Sequence, residues 1–356
     1  MNMMSQPVED LEGFEELNDS TLLRDFMEQA GLTERLQRKG VTEVYFNRPG
    51  ELWTAAEGQL ADTMEPMPQL TLDLCEKVAT SLAAFNRIAL SADEPLHTVD
   101  LPNIFPQGTR GTLVMPPACE KGTISLTIRK PSLDRFSLPN YQDSGRFEKI
   151  RAISTSKVEL KDWQRDMMDA HVRLDWDRFF RQAMHHRQNI IIFGGPGSGK
   201  TTFAKALVDL YDPSRRLITI EAVNELVLPK HPNRVHLLYG QRVTPKSLVA
   251  ITMRMKPDHL LLAELTGDEA WHFMESLNTG LPGTVTTAHA NDSVAGVARI
   301  CSLVKQSEVG KGLDYPYIER LVRTSFDIMI YMEKTYLHEV HYDPQHKLDL
   351  LNGVAA

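Results

Sequence analysis

Apolar positions follow two alternating rhythms along this chain. Leu22, Leu23, Phe26, Met27 and Ala30 recur at helical spacing behind Ser20, a residue type that caps helices. Residues 42–47 then alternate like a strand, residues 47–50 read as a turn, and residues 51–54 continue as the hairpin partner. A second amphipathic helix is expected over 70–86, with Leu74, Cys75, Val78, Ala79 and Leu82 on one face. Strand-like stretches at 96–101, 111–116 and 122–130 complete an α+β unit ending near Lys130.

From Pro131 to about Trp163 the sequence turns polar and irregular, which predicts a linker with one short helix. Trp176, Phe179, Phe180, Ala183 and Met184 then fall at the spacing of a helix. Beyond Asn189, apolar strands at 189–193, 216–220, 234–238, 259–263, 283–287 and 326–331 alternate with helical stretches. Such strands imply a parallel or mixed sheet covered on both faces. The segment 337–350 is expected to add strands to an edge.

Composition narrows the picture. A chain of 356 residues exceeds one ordinary core, so two domains are expected. With 39 Lys and Arg against 47 Asp and Glu, the net charge of -8 disfavours non-specific binding to nucleic acid or anionic lipid, and no specific nucleic-acid site is evident. Cys75, Cys119 and Cys301 lie too far apart for a zinc motif or a disulfide framework, which fits a reducing cytoplasm. The acidic residues 1–20 are expected to be mobile and lack a signal-peptide core, and the longest apolar runs fall well short of the ~20 residues that cross a bilayer.

The stretch FGGPGSGKTT, residues 193–202, carries the clearest chemistry. Gly194, Gly199, Lys200 and Thr201 satisfy the phosphate-loop spacing, between an expected strand and an expected helix. Gly195, Gly197, Ser198 and Thr202 complete the loop, whose backbone amides would point at one phosphate cluster. Lys200 would neutralise the β and γ phosphates of a nucleotide, and Thr201 would offer a hydroxyl to Mg²⁺. Hydrolysis also needs a carboxylate to orient water. Glu264, at the carboxyl end of a buried strand, reads either as placed for that task, facing the ligand crevice, or as a solvated strand-end acid. Glu221 and Glu225 follow another strand and read either as ligands of the same crevice or as a polar strand exit. His289 also follows a strand and reads either as a phosphate contact or as a structural histidine. The run His338 to His341 is not HExxH and fits an edge strand better than a metal site.

Taken in order, GGPGSGKTT, TIEAVNEL, MRMKPDHLLLAELTGDEA and NTGLPGTVTTAHAN resemble the Walker A, Asp-box, Walker B and His-box segments of the secretion ATPase superfamily. VTEVYFNRPGELW and GTRGTLVMPPACEKGTISLTIRKPS are similar to the N-terminal domain of its type IV secretion and conjugation traffic ATPases, so the resemblance spans roughly residues 20–335. It implies a RecA-like P-loop NTPase domain over 164–356, a smaller α+β domain over 21–130 and a linker over 131–163. It further implies that Arg110 and Arg129 reach toward the nucleotide, that Glu264 acts near Mg²⁺ and the attacking water with Glu221 or Glu225 as the alternative base, and that His289 takes part. Arg254 is left either facing a nucleotide or as a helix-end charge. The expected protein is a cytoplasmic ATP-hydrolysing homohexamer, associated peripherally with the inner membrane through the secretion machinery. Its partners would include the coupling protein and other secretion ATPases, and its work would be pilus assembly and transfer of DNA or protein.

Two positions depart from the pattern: Ala222 stands where an Asp is usual and Thr266 where an Arg is usual. Both remove a charge near the site and keep open an ATP-gated docking switch with slow turnover. Pilus-retraction ATPases are the closer sister family, since three scattered cysteines cannot build the zinc module of the type II secretion enzymes.

Overall fold

The computed structural model describes residues 21–132, 137–150 and 159–353. The expectations for residues 1–20, for the Ser20 cap and for parts of the linker lie outside them. The chain divides into two compact units, one formed by the residues up to Pro131 together with Asp212–Leu260, the other by Ser132–Tyr211 together with the residues from Leu261 onward.

In the first unit, β1 (Val41–Phe46), β2 (Gly50–Ala56), β3 (Thr63–Met67), β4 (Leu96–Asp100), β5 (Arg110–Val114) and β6 (Ser125–Arg129) form one sheet in the order β3-β2-β1-β6-β5-β4. Neighbouring strands run antiparallel. Side chains alternate between the two faces of a strand. Val44, Phe46, Leu113, Leu126 and Ile128 therefore share a hydrophobic core with Leu74, Val78 and Leu82 of the helix Leu72–Phe85. Thr71 caps that helix by accepting from Leu74 N–H. The opposite parity is buried but polar. Tyr45 and Thr127 pair across the strands, and the fully buried Arg216 stacks its guanidinium 3.7 Å from the Tyr45 ring centroid while donating to Thr127 Oγ1 at 3.2 Å. Arg216 belongs to the returning segment 212–260, which also brings β8 (Leu217–Glu221) and β9 (Arg234–Leu238). With β10 (His259–Leu262) these make a small sheet in the order β10-β8-β9.

In the second unit, β7 (Ile190–Gly194), β11 (Val285–Ala288), β12 (Ile328–Glu333) and β13 (Tyr336–His341) form a sheet in the order β11-β7-β12-β13. β7 is parallel to both neighbours and buried throughout, as its unbroken apolar run predicts, and β13 closes the edge antiparallel to β12. Asn189 aligns the strand starts. Its Oδ1 accepts from Gly283 N–H at 2.7 Å, and its Nδ2 donates to Ser325 O at 2.7 Å. Helices Lys200–Val208, Glu269–Asn278 and Ser293–Gln306 add buried apolar faces. In the last of these, Gly296 leaves room for the Phe193 ring, which would lie 2.6 Å from a Cβ there.

The expected helix around Trp176 is present as Trp176–His185, with Phe179, Phe180, Ala183 and Met184 buried. The C-terminal segment differs from expectation. β13 lies at the edge, but Pro344–Leu351 is a helix, because Asp343 caps His346 N–H at 2.9 Å and Pro344 occupies the first turn. The helix Asp162–Val172 was not foreseen; only Met167 and Ala170 are buried on it, too few to give a periodic signal.

Candidate nucleotide site

β7 ends where the chain passes close to its neighbours. A Cβ on Gly194 would lie 2.5 Å from Met332 O, and Gly197 and Gly199 take φ of 70° and 88°, a region natural to glycine. The loop then enters the helix Lys200–Val208. Phe203 N–H bonds back to Gly199 O at 2.9 Å as the helix begins, and within the loop Ser198 N–H bonds to Gly195 O at 3.3 Å. Ser198 Oγ is buried with no hydrogen-bond partner among the described residues. Lys200 is nearly buried; its Nζ donates to Gly194 O and Gly195 O, both at 2.9 Å. Burial lowers the Lys200 pKa, and the charge of Glu264 opposes that shift.

Three hydrogen bonds lock the end of β10 and the residues that follow it to β11. Thr286 Oγ1 donates to Leu262 O at 2.6 Å, Thr287 Oγ1 to Ala263 O at 2.8 Å, and Leu265 N–H to Thr287 O at 2.8 Å. Glu264 and His289 consequently leave their strands side by side, with Nε2 of His289 3.0 Å from Glu264 Oε1. The other ring nitrogen, Nδ1, is 3.0 Å from Gly194 O and 3.4 Å from Lys200 Nζ. Lys200, Glu264 and His289, expected to act together, thus meet at the loop. At Thr266, in place of the usual Arg, the backbone N–H donates to the buried Glu269 at 2.8 Å, as Gly267 N–H does at 2.9 Å. Neither the threonine pair nor Glu269 was singled out from sequence, since each looks like an ordinary strand or helix-start residue.

Glu221 is committed elsewhere. It is 1 % exposed, and its Oε2 accepts from Glu225 N–H at 2.9 Å and Leu226 N–H at 2.8 Å. Burial alone would raise its pKa, but the nearby His236 and Thr219 side chains and the N–H donors of Leu226 and Glu225 outweigh it and hold the carboxyl below the usual glutamate range. Removing this carboxylate leaves buried N–H groups unsatisfied. Glu221→Ala is therefore expected to cost about 3 kcal/mol of stability at neutral pH, read from urea unfolding. A depressed folded pKa means that the contribution is complete above the ordinary value and lost as pH falls through the folded one, so the deficit should shrink in acid. Glu225 itself is exposed, as is Ala222.

Arg110, Arg129 and Arg254 are exposed and line one cavity of the first unit. Among the described residues no group of three His, Cys, Asp or Glu side chains could hold a metal ion, so a bound Mg²⁺ would draw on the Thr201 hydroxyl, Glu264 and the phosphates. The loop fits a phosphate: Gly194, Gly197 and Gly199 are conformationally required, the loop opens a helix, and Ser198 Oγ is an orphaned polar atom.

A RecA-like P-loop NTPase domain joined to a smaller α+β N-terminal domain is the class this fold and loop define. The family model described as Type II/IV secretion system protein matches residues 28–330. Type IV secretion system protein VirB11 of Brucella suis biovar 1 (strain 1330) is 36% identical over 322 residues, covering 86% of this chain and 87% of that protein. PtlH of Bordetella pertussis (strain Tohama I) is 34% identical over 318 residues, covering 87% and 90%. The crystal structure of the VirB11 ATPase from the Brucella suis type IV secretion system, in complex with sulphate, matches with a TM-score of 0.86 at 34% identity, covering 94% of this chain and 98% of that one. The chain belongs to the type II/IV secretion system protein family, in its VirB11 group.

Proposed function

We propose that this protein binds and hydrolyses Mg-ATP as a homohexameric motor of a type IV secretion system, driving pilus assembly and transfer of DNA or protein. The observation that carries the reading is the convergence of Lys200, His289 and Glu264 on the loop at Gly194. Gly195, Gly197, Ser198, Gly199 and Thr202 cradle the phosphates with their amides, and Lys200 neutralises charge there. Thr201 and Glu264 hold Mg²⁺, which when bound spreads the charge of the phosphate oxygens. Glu264 orients the attacking water, and His289 with Arg110 and Arg129 stabilises charge on the transferring phosphoryl. With the carboxylate of Glu221 bound to backbone, the exposed Glu225 is the alternative base.

In this reading residues 21–130 form the N-terminal domain, 131–163 the linker and 164–356 the ATPase domain. No helix among the described residues is long and apolar enough to cross a membrane. Attachment to the inner membrane then comes through other secretion components, the coupling protein and companion ATPases among them.

Phosphate release from Mg-ATP, measured across a range of protein concentrations, tests the proposal. Specific activity is expected to rise with concentration and then level, as a site that depends on a neighbouring subunit requires. A wild type that binds ATP but releases phosphate no faster than its Lys200→Ala variant would instead be a nucleotide-gated switch.

A further inference from the structure

Glu264 lies on the short connection between β10 and the helix Glu269–Asn278, and the backbone on both sides of it is held. The hydroxyls of Thr286 and Thr287 fix Leu262 O and Ala263 O, and Leu265 N–H bonds to Thr287 O. These three tethers come from β11, the strand that leads into His289, so they set Glu264 against His289.

A further tether comes from a different element. Glu269 opens the next helix, is 3 % exposed, and turns its carboxylate back onto the connection. Its Oε1 accepts from Thr266 N–H at 2.8 Å, Gly267 N–H at 2.9 Å and Thr266 Oγ1 at 3.4 Å. A Cβ on Gly267 would lie 2.9 Å from Glu269 Oε2, so a glycine there lets the carboxylate close on the chain. Leu265, Thr266 and Gly267, the three residues directly after Glu264, thus all have bonded amides.

Helix capping does not account for Glu269. A capping side chain accepts from amides inside its helix, whereas these donors precede it, and Asp268 at the cap position makes no side-chain cap bond. An acid in the first turn would also favour the helix dipole from solvent, without the cost of burying a carboxylate. What the burial gains is a fixed path for the chain as it leaves Glu264.

We propose that Glu269 is a positioning residue for hydrolysis: its carboxylate holds the backbone after Glu264 and thereby aims the Glu264 carboxylate at the attacking water. This rests on the reading that Glu264 orients that water. Displacing a reacting group by about 1 Å costs up to about 100-fold in rate. Lys200 and the loop glycines are untouched by Glu269, so the effect falls on kcat and not on nucleotide binding.

The test uses the full chain, steady-state phosphate release and equilibrium titration with mant-ATP. Glu269→Ala is expected to lower kcat by about ten-fold, with mant-ATP affinity within about two-fold of wild type. Glu269→Gln keeps an acceptor oxygen at the same reach and should recover most of the loss, while Glu269→Asp, one methylene shorter, should not. Gly267→Ala crowds the carboxylate and should lower kcat by about three-fold alone and add nothing in the Glu269→Ala background. The residual rate of Glu264→Gln, read with γ-labelled ATP, should be unchanged by adding Glu269→Ala. Thermal melting of each variant checks the fold, and Gly267→Ala and Glu269→Asp still decide the matter if Glu269→Ala does not fold. Wild-type kcat in Glu269→Ala, or a loss that multiplies with that of Glu264→Gln, overturns this inference and leaves the proposed function standing. Mant-ATP affinity falling as far as kcat means that the whole loop has shifted, and overturns it too. Wild-type turnover in Glu264→Gln removes the role of Glu264 and this inference with it, as does a wild type no faster than Lys200→Ala.

Discussion

Lys200→Ala is expected to lower kcat/KM for ATP by about 100- to 1000-fold, the scale set by removing a preorganised charge from a site where negative charge must be stabilised. The Lys200 ammonium is held by two loop carbonyls, close to His289 Nδ1. No neighbouring side chain can take over its position: His289 is already engaged with Gly194 O and Glu264. Lys200→Arg should fail nearly as badly, because a planar fork does not fit a space shaped for a compact ammonium. The loop conformation depends on its glycines rather than on this side chain, so the melting temperature should move by only a few degrees. Phosphate release and mant-ATP titration read the two effects separately. Turnover at the wild-type level in Lys200→Ala would remove the P-loop from the mechanism.

The largest expected loss of stability lies in the first unit. Arg216→Ala should cost about 4 kcal/mol in urea unfolding. Arg216 is fully buried, stacks on Tyr45 and donates to Thr127 Oγ1 and Asn233 Oδ1. Truncation empties a large volume and costs about 2 kcal/mol as a cavity, while the lost stacking and hydrogen bonds account for a similar amount. Two effects oppose each other here, since burying a cation is itself unfavourable. Arg216→Met separates them: it keeps the stem and gives up the charge, and about half the loss is expected. Equal losses for both variants would mean that the guanidinium contacts, and not the filled volume, hold the two halves of this unit together.

Much of this molecule can be read from its letters where burial is two-sided. Ile190 to Phe193 form an unbroken apolar run because β7 lies between two parallel neighbours, and the glycines beside it mark the loop. The strands of the first unit are also legible, since Val44, Phe46, Leu126 and Ile128 alternate with residues of the other face. That other face is where reading fails. Tyr45, Thr127 and Arg216 look like surface residues in sequence, and only long-range contact reveals that they are interior. At the site, Glu264 and His289 could be paired by motif, but the commitment of Glu221 to backbone amides could not, because the same letter serves a catalytic carboxylate and a buried cap. The helix Pro344–Leu351 was hidden because its cap, Asp343 followed by Pro344, reads equally well as a turn.

The first unit is written in two pieces of chain, the second of which, Asp212–Leu260, follows the P-loop and its helix. Arg216, Asn233 and Lys256 all come from that returning piece, and their partners Tyr45, Asn47 and Asp62 from the first. Nascent chain must therefore run past the nucleotide loop before the polar face of the N-terminal sheet can find its cover. A cut anywhere between the two pieces would sever the backbone without severing the unit, because buried contacts and not the peptide chain tie its halves together.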